Sequence, residues 1–213
     1  MKKIRIPFIY SVYKKFNGAD VNVIYKEIDE DNNGFDITGF VKEVGGNNKG
    51  ADITGLFKGV YGNNKGADIT GLFKEVKGNN KGADITGLFK GVKGNNKGVD
   101  ITVFFKEVKG NNEGADITGL FKNVEEDNKG LSITGLYNHF KKVKQYSVSY
   151  ATLGNTIKEI GENAFYLQIG LVNKAGDKYC PFINVGGIKN IPKLIGKSFK
   201  RKKNKNKNLN SNF

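Results

Sequence analysis

The residues able to do chemistry in this chain are few and poorly grouped. His139 is the only histidine and Cys180 the only cysteine. Any Ser-His-Asp or Cys-His arrangement therefore depends on one imidazole, and histidine-rich or paired-cysteine metal sites are ruled out. Cys180 stands next to Pro181 and reads as a packing residue, and a single thiol excludes an intrachain disulfide. The run Glu125-Glu126-Asp127 could supply the two carboxylates of a glycoside hydrolase, but adjacent acids between repeats read better as a charged turn. No catalytic residue, cofactor or metal site is assigned, no small-molecule substrate is identified, and the chain is read as not being an enzyme.

The grouping with an evident chemistry is basic. Lys193, Lys197, Lys200, Arg201, Lys202, Lys203, Lys205 and Lys207 lie in a C-terminal tail, 186–213, that has no acidic residue, in a chain of formal charge +14. Asn190 can cap a short helix with Ile191, Leu194, Ile195 and Phe199 on one side and Lys193, Lys197 and Lys200 on the other. That pattern suits an anionic membrane surface, where each basic residue contributes about 1 kcal/mol. Nucleic acid phosphates are the alternative partner, gripped without sequence reading because no aromatic platform is interleaved among the basic residues after Phe199. A solubilising tail is the third reading.

Ahead of the tail the chain is a repeat. The unit Asn-Asn-Lys-Gly-Ala-Asp-Ile-Thr-Gly-Leu-Phe-Lys-x-Val-x-Gly recurs with its marker glycine at Gly18, Gly34, Gly50, Gly66, Gly82, Gly98, Gly114 and Gly130. Such an array offers repeated surface rather than one differentiated pocket. The repeats fill about 17–140 of a single β-repeat domain, 1–185, which a hairpin at about 165–185 closes. The stretch from Lys141 to Glu162 breaks the period, and an irregular strand or a short helix is expected from Ser147 to Ile160. A hydrophobic content of 38% implies a narrow core, and 15 Phe with 9 Tyr argue against disorder. No apolar run reaches the roughly 18–20 residues of a membrane-spanning helix, which leaves a β-barrel open. Arg5, Lys14 and Lys15 interrupt the N-terminal apolar residues, so no signal peptide is read. The expected location is the cytoplasm or the membrane periphery, with the cell envelope as the alternative.

Within a unit, Ala51, Ile53, Gly55 and Phe57 alternate with Asp52, Thr54, Leu56 and Lys58, the period of a strand with the first set facing a core. Asn63-Asn64-Lys65-Gly66 has the form of a type I turn with a glycine bulge. Together they predict an antiparallel meander, rolled or closed into a barrel, whose core spine is the ladder Phe57, Phe73, Phe89, Phe105, Phe121 and Tyr137. A parallel β-solenoid of sixteen-residue coils is the alternative. It meets an objection: stacked coils would align Asp36, Asp52, Asp68, Asp84, Asp100 and Asp116 in one column, and Lys58, Lys74, Lys90 and Lys106 in another.

Two resemblances bear on function. Asn-Asn-Lys-Gly-Ala-Asp resembles the calcium-binding coil of secreted β-rolls, with Asn in place of two glycines, but Thr54 and Thr70 stand where a hydrophobic residue belongs. Leu167-Gln168-Ile169-Gly170-Leu171-Val172-Asn173, followed by Pro181-Phe182-Ile183-Asn184, resembles the Gly-Leu-Gln-Ile-Gly-Leu-Val-Asn repeats of poorly characterised prokaryotic surface-repeat proteins. The resemblance covers the last hairpin and implies a non-enzymatic, envelope-associated β protein. The functional expectation is a structural or binding scaffold tethered to an anionic surface, with an envelope or pore-forming barrel and a nucleic-acid-binding repeat protein as alternatives.

Overall fold

The computed structural model describes residues 2–6 and 9–187, and it is a parallel β-solenoid. Each regular coil contributes a seven-residue and a four-residue strand, as in Asn48–Thr54 and Phe57–Val60. Each strand pairs in parallel with its counterpart one unit on, identical residue against identical residue: Asn48 with Asn64, Asp52 with Asp68, Phe57 with Phe73. The long strands build one sheet layer and the short strands another, and the two layers face each other across the coil. The expected antiparallel meander, rolled or closed into a barrel, is therefore not formed. Antiparallel pairing occurs among the described residues only at the two ends, between Lys2–Ile6 and Tyr10–Tyr13 and between Phe165–Ala175 and Lys178–Gly186.

Three local features decide for the solenoid. Asn64, Lys65 and Gly66, expected in a turn, lie inside the strand Asn64–Thr70, and the chain bends just before it. Gly66 is demanded by stacking, since a Cβ there would come 1.6 Å from the Gly50 carbonyl oxygen. Finally, identical asparagines hydrogen-bond when stacked in register. Asn48 Nδ2 donates to Asn64 Oδ1 at 2.8 Å, and the ladder runs from Asn32 to Asn128. An outer asparagine row adds a second ladder, in which the backbone N–H of Asn63 donates to Asn47 Oδ1 at 2.9 Å.

The strand alternation is present, but its phase is the reverse of the hydropathy expectation. Asn48, Asp52, Thr54, Lys58 and Val60 point inward and are buried, whereas Ile53 and Phe57 are exposed. The phenylalanine column exists, but it arises from parallel pairing rather than the expected antiparallel register, and it stands on the outer surface. Phe57 and Phe73 stack with ring centroids 5.0 Å apart.

The two like-charge columns that weighed against a solenoid are both real, and each neutralises the other. Lys58 Nζ sits 2.5 Å from Asp52 Oδ2 and 2.6 Å from Asp68 Oδ1, and Lys74 lies 2.6 Å from both Asp68 and Asp84. The sequence Asp-Lys-Asp-Lys continues without a gap from Asp20 and Lys26 to Asp116 and Lys122. Like charges stand about 4.8 Å apart along each column, while opposite charges touch, so attraction outweighs repulsion at every rung. Lys106 places its third N–H on Asn112 Oδ1 at 3.2 Å, which uses all three donors of the ammonium. Burial pushes the Asp68 and Asp100 carboxyls up, but their flanking lysines outweigh it and hold both well below the usual carboxylate range. Such a ladder fixes register, because a one-residue slip would turn every charged rung to the outside.

Aromatic rings close the ladder at both ends. Lys26 Nζ lies 3.3 Å from the Phe16 ring centroid and Lys122 Nζ 5.2 Å from that of Phe140. Beyond Lys122 the interior of the described residues is uncharged. Lys122 donates to Ser132 Oγ at 2.6 Å, and Asn138, Asn155 and Asn173 carry the stack onward. Here Gly130 pairs with Ser147 and Tyr146 with Phe165, so the coils lengthen past sixteen residues. The stretch that breaks the period forms the strands Tyr146–Ala151 and Gly154–Ile160 and contains no helix. The interior is filled by side chains and holds no lumen of the kind a pore-forming barrel would have.

Candidate functional site

Because the polar set points inward, the outward columns of each coil are, in order, Lys49, Ala51, Ile53, the bend residue Leu56, then Phe57, Gly59 and Tyr61. The short-strand layer places Phe57, Phe73, Phe105 and Phe121 on the surface at 38–44% exposure, and the long-strand layer exposes Ile69, Ile85 and Ile117 at 47–50%. Stacked in register and joined round the bend by the leucines, these columns form one continuous apolar edge along the rod. Its exposed area is on the order of 1,000 Å², more than the few hundred Å² typical of a monomer, and patches of that size mark interaction surfaces. Next to the isoleucines a shallow trough of about 410 Å³ runs over Ala51, Ala67 and Ala83, stopped at its ends by Phe35 and Val99.

Charge flanks the apolar edge. Lys49, Lys65 and Lys81 form an exposed row beside the alanines, continued by Lys97 and Lys129, which pair with Glu113 at 3.2 and 3.3 Å. On the short-strand layer the column outside the phenylalanines reads Glu43, Gly59, Glu75, Gly91, Glu107, Asn123. The missing side chains open a groove of about 530 Å³ lined by Phe57, Phe73, Phe89, Gly59, Gly91 and Tyr61, among others. Glu75 pairs with Lys93 at 3.0 Å, and Lys77 Nζ rests 3.7 Å from the centre of the Tyr61 ring.

The catalytic candidates are not brought together. His139 lies in Tyr137–Val143 and lines a crevice of about 410 Å³ with Tyr137, Thr156, Lys174 and Tyr179, where neither a carboxylate nor the Cys180 thiol is present. Burial, then the nearby Lys158, pulls its pKa below the ordinary histidine value. Cys180 stands opposite Asn173 in the terminal hairpin. Glu126 makes a loose pair with Lys141 at 3.9 Å, and Asp127 Oδ1 accepts the Lys144 backbone N–H at 2.7 Å, so this run continues the outer asparagine row. The aspartate column that resembled a calcium coil takes its cations from the chain itself. Lys193, Lys197, Lys200, Arg201, Lys202, Lys203, Lys205 and Lys207 lie outside the described residues.

Sequence reasoning missed the apolar edge because it assigned Ile53 and Phe57 to the core. Variation between units marks only the flanks of the edge: they differ at Ala51 and Gly59, where Phe35, Val99, Glu75 and Asn123 appear in other units, but the isoleucine column from Ile37 to Ile133 is as constant as the buried Asp52 and Lys58 columns. Comparison with known families, curated proteins and solved structures gave no match.

Proposed function

We propose that this protein is a non-enzymatic scaffold that lies along an anionic membrane surface. One observation carries the reading: a continuous edge of isoleucine, leucine and phenylalanine runs the length of the repeats, with an unbroken row of Lys49, Lys65 and Lys81 beside it. This is the arrangement of an interfacial amphipathic helix transferred to a solenoid. Apolar side chains enter the headgroup and acyl boundary while lysines meet anionic lipid. The basic tail from Lys193 to Lys207 would add a second, purely electrostatic attachment. In this reading the ionic core serves stiffness and register, leaving all of the repeat's apolar side chains except the valine column available outside.

Sedimentation with anionic and neutral vesicles at low and high salt tests the proposal. The full chain is compared with a chain whose tail lysines and arginine are changed to glutamine, and with Ile69→Ser/Phe73→Ser. Anionic binding should weaken with salt, lose its salt-sensitive part in the tail variant and lose its salt-resistant part in the edge variant. Binding that is unchanged by the edge substitutions, or equal on neutral and anionic vesicles, would overturn it. Binding to polyphosphate or duplex DNA in preference to vesicles would point to the nucleic acid reading.

A further inference from the structure

The groove over the short-strand layer contains two glycine gaps that differ in one respect. At Gly91 the Phe89 ring folds over the backbone, its edge 3.1 Å from where a Cβ would stand, and Gly91 is buried. At Gly59 nothing fills the gap. A Cβ there would meet only Glu43 Cγ at 3.8 Å, and Phe57 keeps its ring stacked on Phe73. The result is an open notch with Phe57 and Phe73 along one wall, Tyr61 on the other, and Glu43 and Glu75 at the two ends, about two coil rises apart on the order of 10 Å.

Aromatic rings and carboxylates around a small open volume are a chemistry that receives an organic cation. The chain itself demonstrates this at the rim, where the Lys77 ammonium sits over the Tyr61 ring at 3.7 Å. Among the described residues no lysine pairs with Glu43, and its carboxylate accepts from the Tyr25 hydroxyl at 3.3 Å. We infer that the Gly59 notch is a binding site for a small organic ammonium of the quaternary, choline-like class, and that Lys77 competes with this ligand for Tyr61. A quaternary ammonium suits the site better than a metal ion because the walls are apolar rings and the carboxylates are too far apart to chelate one small cation.

The inference does not depend on membrane attachment, and its test uses no membrane. The full chain is titrated with choline and with tetramethylammonium, followed by the aromatic and methyl signals in NMR. Saturable shifts should appear for Phe57, Phe73 and Tyr61. Gly59→Asn fills the notch with the residue that Asn123 already places at the same register position, so it should fold normally and weaken binding about tenfold or more. Glu43→Gln/Glu75→Gln should weaken it comparably, while Glu113→Gln, on the long-strand layer and outside the groove, should leave it unchanged. Lys77→Gln removes the competing ammonium and should tighten binding several-fold. Absence of saturable shifts in the millimolar range, equal affinity of the folded Gly59→Asn protein, or weaker binding by Lys77→Gln would each overturn the assignment.

Discussion

The ionic ladder can be tested by asking whether its rungs are coupled through local neutrality. Lys74→Met removes an ammonium that lies 2.6 Å from each of Asp68 and Asp84, leaving each carboxylate with one lysine instead of two. Breaking a fully buried pair from one side costs about 3–5 kcal/mol, because the abandoned charge stays buried. Asp84→Asn is expected to cost a similar amount by leaving Lys74 and Lys90 each short of one partner. Made together, the two substitutions delete one neutral rung: Asp68 keeps Lys58, Lys90 keeps Asp100, and no buried net charge remains. The double variant should therefore cost about as much as one single, a coupling of about 3 kcal/mol. Lys42→Met with Asp100→Asn removes the same chemistry from sites on the order of 15–20 Å apart. Its charges cannot rebalance locally, so its costs should add to about 6–10 kcal/mol. Urea denaturation of the four single and two double variants at pH 7 reads both values. Equal costs for the adjacent and the distant pair would refute the claim that each rung is held by its immediate neighbours.

Acid should unfold the array. Asp68 and Asp100 have folded values below the ordinary 3.8, so their stabilisation is complete above that value and lost as pH falls below it, at about 1.4 kcal/mol per unit for each carboxylate. Melting temperatures should be level from pH 5 to 8 and fall steeply toward pH 2; a level profile down to pH 2 would contradict the buried ladder. Lys122 should behave in the opposite sense, because burial, only partly offset by its single carboxylate partner Asp116 and reinforced by Lys106, lowers its pKa to about 8 from 10.5. Its unfolded form binds the extra proton between those values, so stability should rise with pH in that window, and the rise should shrink in Lys122→Met to the part that Lys58 and Lys90, whose burial also holds them below 10.5, contribute. Two glycines should separate cleanly in a thermal melt. Gly66→Ala, with its methyl 1.6 Å from the Gly50 carbonyl oxygen, should cost about 3–5 kcal/mol, and Gly59→Ala, with 3.8 Å to its nearest neighbour, within about 0.5 kcal/mol.

Strands, their period of two and a phenylalanine column were legible in the sequence, because copied units force Phe57, Phe73 and Phe89 to equivalent places. What failed was the strand direction, parallel rather than antiparallel, and with it the choice of face. Hydropathy puts Ile53 and Phe57 inside and Asp52 and Lys58 outside, and for an isolated strand that choice is sound. It reverses when a lysine six residues after each aspartate can reach that aspartate and the one in the next coil, a pairing that no single unit shows. The same blindness hid the site. With the isoleucines and phenylalanines assigned to the core, the glycines at 59 and 91 looked like strand punctuation rather than gaps in an outer row. The basic tail was legible as composition, and its residues lie outside the described region.

The neutral rung also gives the rod a unit of length. Each regular sixteen-residue copy brings one Asp, one Lys and one Asn to the interior and glycines such as Gly66, Gly71 and Gly78 to the contact with the coil before it. Insertion or loss of whole units by unequal recombination would lengthen or shorten the protein in steps of about 4.8 Å without changing its buried charge. A one-residue insertion, by contrast, would misalign every inner column at once. The gene can vary the reach of this protein freely but only in whole coils, and near-identical copies are both the means of that variation and its trace.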